Sequence, residues 1–108
     1  MDADHAIGLW REGERRLAAA DPADRPALER VTDALVLELR RRLGGTFTAQ
    51  ELATMYSVQG TDWAYELATR VAPGNPGAWD MTTVAGAAFA RYLREASDYA
   101  GGRRIRPE

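Results

Sequence analysis

The chain of 108 residues contains no cysteine and one histidine, and all 14 of its basic residues are arginine. Without cysteine it has no disulfide, no thiol nucleophile and no cysteine-based metal site. The lack of lysine removes P-loop, Schiff-base and general-base lysines. The single histidine, His5, lies near the N-terminus, where nothing would orient it as a base, and one histidine cannot build a histidine-rich zinc site. We therefore expect a protein that is not an enzyme and has no cofactor or metal.

Long apolar runs are also missing. No stretch approaches the roughly 18 apolar residues that a membrane-spanning helix needs, and no apolar segment follows the acidic start Met1–Asp4, as a secretory signal would require. Hydrophobic residues nevertheless make up 45% of the chain and charged residues 28%, which is typical of one globular domain. These features predict a cytoplasmic protein with no membrane contact.

The formal net charge of -2 is unevenly distributed. Most of the chain has a net negative charge, and net positive charge occurs only in two short islands, at Arg40–Arg42 and in the tail at Arg103–Arg106. Domains that bind nucleic acid usually present a broad basic face. This distribution therefore makes nucleic acid a less favoured partner than another protein.

Apolar residues recur at helical spacing along almost the whole chain, and no stretch alternates at period two. The pattern predicts an all-α fold, a single compact bundle of four to five helices within residues 1–100, followed by a flexible basic tail over 101–108. We predict helices at about 3–20, 27–43, 48–56, 62–72 and 80–100. The second and fifth helices form the frame, and the short pair between them packs across it.

The third helix has the clearest start. Thr48 can accept a hydrogen bond as the N-cap, and Glu51 follows three residues later, which together predict a capping box. Phe47 before the cap and Leu52 after it occupy the positions of a hydrophobic staple. Asp80 is the predicted cap of the fifth helix.

Residues 46–71 follow the outline of a helix-turn-helix, with a first helix to Met55, a turn over Tyr56–Gly60 and a second helix from Asp62 to Ala72. Ser57 stands where glycine is usual, and two acids, Asp62 and Glu66, lie on the helix that would face DNA. A DNA-binding transcriptional regulator is therefore the alternative function. The side chains that would contact DNA are Gln59, Thr61, Tyr65 and Arg70.

The favoured function is a non-catalytic, cytoplasmic protein-binding or regulatory module. Tryptophan and arginine are enriched at interface anchors, so we place the candidate contact at Arg40, Arg41, Arg42 and Trp79. The alternatives stay open: the three arginines can simply complement the dipole of the second helix, and Trp79 can pack as loop core. The partner's identity is open too, and a homodimer is possible.

Several short segments, Leu39–Thr48, Glu51–Ala53, Asp62–Ala64 and the stretch 87–99, resemble small all-helical proteins of actinobacteria. The resemblance covers about residues 28–100. It implies origin and fold, and it brings no activity and no functional residue with it.

Overall fold

The computed structural model describes residues 2–43, 47–73, 79–97 and 105–106, with side chains described except at 59–61, 97 and 105–106. Within these residues the chain is all-α, as predicted, apart from one pair of two-residue strands. The elements are α1 (Ala3–Ala18), α2 (Arg25–Leu43), β1 (Phe47–Thr48), α3 (Ala49–Met55), a π-helical segment (Tyr56–Gly60), α4 (Thr61–Val71), α5 (Met81–Ser97) and β2 (Ile105–Arg106).

The core is built around α5, where every residue from 84 to 90 is buried. An unbroken buried run means that the helix is covered on all sides, and α1, α2 and α4 all pack against it. The helices α1 and α5 approach closely at Gly13 of α1, where a Cβ atom would lie 2.7 Å from the carbonyl oxygen of Thr83. The backbones of α1 and α5 therefore meet where glycine supplies no side chain.

An aromatic cluster fills the space around Phe89. Its ring centroid lies 5.4 Å from that of Trp10, 5.1 Å from that of Tyr56 and 6.2 Å from that of Trp63. Such separations favour edge-to-face and tilted ring contacts. The indole N–H groups of Trp10 and Trp63 are buried and have no hydrogen-bond acceptor among the described residues, so these rings contribute through packing.

The loop between α1 and α2 differs from the prediction at both ends. The first helix ends at Ala18 rather than Ala20, and the Arg25 guanidinium donates hydrogen bonds to the carbonyl oxygens of both residues, at 2.9 and 3.4 Å. The second helix begins at Arg25 rather than Ala27. Pro26 lies in its first turn, where its missing N–H removes no helical hydrogen bond.

The predicted capping box is confirmed. The backbone N–H of Glu51 donates to Thr48 Oγ1 at 3.0 Å, and the backbone N–H of Thr48 donates to Glu51 Oε1 at 3.3 Å. An N-cap of this kind contributes about 1 kcal/mol. Asp80 also caps as predicted, because its carboxylate accepts the N–H of Thr82 at 3.1 Å where α5 begins.

The predicted turn over Tyr56–Gly60 is wrong. These residues form a π-helical segment, so the chain stays helical from Ala49 to Val71. Thr61 is consequently the first residue of α4. The helix α3 packs on α1, whereas α4 packs on α2 and α5, and α3 and α4 make almost no contact with each other. The predicted short pair, α3 and α4, is therefore present between α2 and α5, but these described residues lack the turn of a helix-turn-helix.

The strand pair corrects the prediction of a flexible tail for two of its residues. Ile105 and Arg106 pair in parallel with Phe47 and Thr48, and β2 also contacts α5. The other residues of the predicted tail, and the predicted end of the fifth helix at 98–100, lie outside the described residues. The last described segment of the chain thus reaches the corner between α2 and α3.

Candidate functional site

A chain of ion pairs ties α2 to α5. Arg91 donates to Asp33 at 2.5 Å and to Glu95 at 3.2 Å, and Arg40 donates to the other oxygen of Glu95 at 2.6 Å. Asp33 and Arg40 are seven residues apart on α2, so they stand on the same face about two turns apart. The first of the three candidate arginines is therefore engaged within the fold.

The other two candidate arginines share one carboxylate. Arg41 and Arg42 lie 3.3 and 3.1 Å from Glu38, one turn earlier on α2. Arg42 also places its guanidinium carbon 4.9 Å from the ring centroid of Trp63, a cation–π contact between α2 and α4. All three arginines thus serve contacts inside the domain, and Arg41, the most exposed of them, is the one best placed to reach a partner.

The outer face of α4 carries two of the four side chains that the helix-turn-helix prediction assigned to DNA, Tyr65 and Arg70. Tyr65 is 49% exposed, and Arg70 is exposed as well. The side chains of Gln59 and Thr61 lie outside the described part of the chain. Asp62 and Glu66 are exposed on the same helix, so its described outer face carries two acids and one arginine.

The helices α1 and α2 both pack on α5 but hardly on each other, which leaves a groove of about 300 Å³ between them. We call it the α1/α2 groove. Its floor is apolar, formed by Leu17, Leu28 and Ala87. Its other lining residues are polar, charged or small: Glu14, Ala18, Arg25, Glu29, Thr32 and Arg91.

Most charges along the α1/α2 groove are already satisfied. Glu14 pairs with Arg94 of α5 at 2.8 Å, Arg91 belongs to the α2–α5 ion pairs, and Arg25 binds the two carbonyls at the end of α1. Glu29 is exposed and has no ion-pair partner among the described residues. The unmatched charge of the groove is therefore negative.

A second cavity, of about 340 Å³, lies where the end of α1, the loop before α2 and the start of α5 meet. We call it the Trp79 cavity. It shares Leu17 and Leu28 with the α1/α2 groove, so the two are neighbours across these leucines. Its remaining lining residues are Arg16, Ala20, Asp21, Asp24, Trp79, Asp80, Thr83 and Val84. Trp79, the fourth candidate residue, is half-buried here.

Sequence reasoning named Trp79 but missed the residues that surround it. Helical spacing places Leu17 and Leu28 on the apolar faces of their helices, but it does not show which part of such a face will border a groove. The small side chains of Ala18 and Ala87, which both line the groove, were the available signal, because small residues leave open space between helices.

The α2–α5 ion pairs shift two pKa values. Burial alone would raise the pKa of the Glu95 carboxyl, but hydrogen bonds from Arg91 and Arg40, with their positive charges, lower that pKa below its ordinary value. Burial would likewise lower the pKa of Arg91, but its hydrogen bonds to Asp33 and Glu95 raise it. Separately, burial and the nearby charge of Asp80 raise the pKa of the Tyr56 phenol.

The lowered pKa of Glu95 predicts a pH effect on stability. A carboxyl whose pKa is lower in the folded chain stabilises the fold above its unfolded pKa, about 4.3, and this contribution disappears as pH falls through the folded pKa. We expect Glu95→Gln to remove that part of the acid dependence in urea unfolding measured between pH 3 and pH 7. The effect is small, because pairs exposed like these contribute on the order of 0–1 kcal/mol.

The matched control is Glu66→Gln on the exposed face of α4. It removes the same charge from a position with no ion pair among the described residues. If both variants reduced the loss of unfolding free energy at acid pH by the same amount, a specific role for Glu95 would be contradicted.

The described residues contain no group of three or more histidine, aspartate or glutamate side chains placed to hold a metal ion. His5 is exposed in the first turns of α1. None of the helices in the described ranges combines the length and apolar character needed to cross a membrane.

Comparison of the chain with protein-family models, with curated proteins and with solved structures gives no match. The resemblance to actinobacterial helical proteins therefore stays a prediction, and the groove and the cavity are the features of this chain that bear on its function.

Proposed function

We propose that this domain is a non-catalytic, cytoplasmic protein-binding module that takes an amphipathic helical segment of another protein into the α1/α2 groove. The observation that carries the proposal is the groove between two helices that both rest on α5, lined at its base by the apolar side chains of Leu17, Leu28 and Ala87. Recognition of a helix in a groove uses such a floor to bury the apolar stripe of the incoming helix.

The charges around the floor define the partner segment further. Glu29 on the groove and Asp24 on the adjoining cavity are exposed acids without an ion-pair partner among the described residues. A segment with arginine or lysine beside its apolar stripe would match both, and complementary charge favours the correct orientation and encounter. The proposed occupant is therefore a basic amphipathic helix.

This proposal moves the main contact away from the arginine trio. Arg40 and Arg42 already make contacts that a partner would have to break, namely those with Glu95, Glu38 and Trp63. Arg41 remains as a peripheral contact. Trp79 remains a candidate partner contact because it lies beside the groove floor.

The test is site-specific photocrosslinking in the native cell. A photoreactive phenylalanine analogue at Ala18, exposed on the groove, is expected to capture a protein through a basic amphipathic segment mapped by mass spectrometry. The same analogue at Leu37, 56% exposed and outside the groove lining, is the control and should capture nothing in common. Glu29→Arg should lower the yield at position 18.

Each other outcome counts against the proposal. Equal yields at positions 18 and 37 would show no preference for the groove, and capture of a second copy of the chain would indicate a homodimer. Loss of the crosslink in Arg41→Ala, with retention in Glu29→Arg, would return the contact to the arginine trio.

DNA binding by α4 is the alternative hypothesis. The face has an exposed Tyr65 and Arg70 but also Asp62 and Glu66, and affinity for DNA comes mostly from cationic contacts with phosphates. If this alternative holds, the protein is retained on DNA at low salt, retention falls steeply as salt rises, and Arg70→Ala abolishes it.

A further inference from the structure

The Trp79 cavity has apolar walls and a charged rim. Its apolar lining residues are Leu17 of α1, Ala20 of the loop that follows, Leu28 of α2 and Val84 of α5. At about 340 Å³ the cavity lies at the small end of ligand pockets, which run from about 300 to 1,000 Å³. The cavity is therefore large enough for one long side chain but too small for a large cofactor.

The rim is negative overall. It holds three carboxylates, from Asp21, Asp24 and Asp80, and one cation, Arg16. Arg16 is already paired with Glu12 at 3.3 Å. Asp21 accepts the N–H of Ala23 and Asp80 caps α5, while the Asp24 side chain has no partner among the described residues. An incoming group meets an uncompensated negative charge.

Trp79 adds an aromatic face beside these carboxylates. Tryptophan is the most favourable ring for binding a cation over its face, and this chain already uses that contact where Arg42 lies over Trp63. Apolar walls suit the methylene stem of an arginine or lysine, whose charged end then reaches the rim. The cavity thus combines an aromatic ring, apolar walls and carboxylates. Among the common side chains, only a long cationic one matches all three.

We propose that the Trp79 cavity binds one arginine or lysine side chain of the partner segment and so fixes the position of that segment along the α1/α2 groove. The inference rests on the proposed function, since the side chain belongs to the helix in the groove. Trp79 contacts the cation, Asp24 supplies the unmatched charge, and the shared Leu17 and Leu28 connect the cavity to the groove floor.

The cavity is tested without the partner, by titrating the full chain with blocked amino acids and following tryptophan indole N–H signals by NMR. The chain has three tryptophans, and Trp79→Phe identifies the signal of Trp79. The N-methylamides of Nα-acetyl-lysine and Nα-acetyl-arginine, which keep their charged side chains, are expected to shift that signal saturably. Their dissociation constants should be on the order of 1–10 mM for such small probes. Acetyl-norleucine methylamide, which lacks the charge, should leave it in place, as should acetyl-glutamate methylamide.

The variants separate charge from shape. Asp24→Asn is expected to weaken lysine binding at least about threefold, and added salt should weaken it in wild type, because the attraction is electrostatic. Asp62→Asn removes the same charge from α4 and is the control, with unchanged affinity. The buried Trp10 and Trp63 signals report whether each variant keeps its fold.

The proposal is overturned if norleucine shifts the Trp79 signal as much as lysine, or if neither cationic amide shifts it. Tighter binding of free putrescine than of either amide would also overturn it, in favour of a small diamine ligand. If position 18 captures a partner but the Trp79 signal does not respond to the cationic amides, the groove function stands and only the binding of a cationic side chain in the Trp79 cavity is overturned. A response without any crosslinked partner removes the groove function instead.

Discussion

Replacing Phe89 by alanine is expected to destabilise the fold by about 3–5 kcal/mol, the usual loss when a buried phenylalanine is truncated. The side chain is fully buried and lies against three other aromatic rings, those of Trp10, Tyr56 and Trp63. The loss combines buried apolar surface with a cavity that four helical segments border. The total free energy of unfolding of a small domain is only about 5–15 kcal/mol, so urea unfolding should show that the variant has lost much of its stability.

Tyr65→Ala is the matched control for Phe89→Ala. It removes a ring of similar size from the outer face of α4, where the side chain is 49% exposed, and should change the free energy of unfolding by less than about 1 kcal/mol. If the two variants lost similar amounts, Phe89 would not be the centre of the core.

Gly13→Ala is expected to destabilise the protein by about 1–3 kcal/mol, although alanine is the better helix former. The new methyl group would lie 2.7 Å from the carbonyl oxygen of Thr83 and 3.2 Å from the amide nitrogen of Ala87. Both atoms are backbone, so relief requires α1 and α5 to move apart. Thermal unfolding should report a lower midpoint, by roughly 4–8 °C per kcal/mol.

Gly8→Ala, in the same helix, is expected to change the stability in the opposite direction. A Cβ at this position meets no atom within 4 Å, so the substitution should stabilise α1 by about 0.5–1 kcal/mol through helix preference alone. The difference between the two variants isolates the close helix crossing. A gain in stability for Gly13→Ala similar to that of Gly8→Ala would contradict the geometry at the crossing.

Local chemistry predicted much of the fold. Thr48 and Glu51 form the capping box that their spacing indicates, and Asp80 caps the helix that follows it. These signals depend on residues within one turn of each other, so neighbours in sequence suffice to reveal them. The helical class follows from apolar spacing in the same way.

Contacts between distant segments were not predictable by this route. Arg40 looked free for a partner because its own helix shows no carboxylate one turn away, but Glu95, 55 residues later, pairs with it. The Trp79 cavity likewise depends on Leu17, Leu28 and Val84, which come from three different helices. Sequence spacing within one helix does not show which other helix will face it.

The predicted turn failed for a related reason. Ser57, Val58 and Gly60 are ordinary turn or surface residues, and Val58 is 68% exposed, so nothing in their chemistry requires helix. Tyr56 instead turns its ring into the cluster around Phe89, and the chain keeps helical hydrogen bonding in its wider π form. Packing of one ring against the core outweighed the local preference for a turn.

This π-helical segment also sets the angle between two helix faces. Leu52 and Trp63 are eleven residues apart, which on an uninterrupted α-helix is about three full turns and would align them. Because a π turn takes in more residues than an α turn, α4 is rotated relative to α3, and one helical stretch faces first α1 and then α2 and α5. The number of residues in this segment therefore matters more than their identity. Substitution at the exposed Val58 leaves the angle alone, whereas loss or gain of one residue turns α4 by about 100° and carries Trp63 away from Arg42.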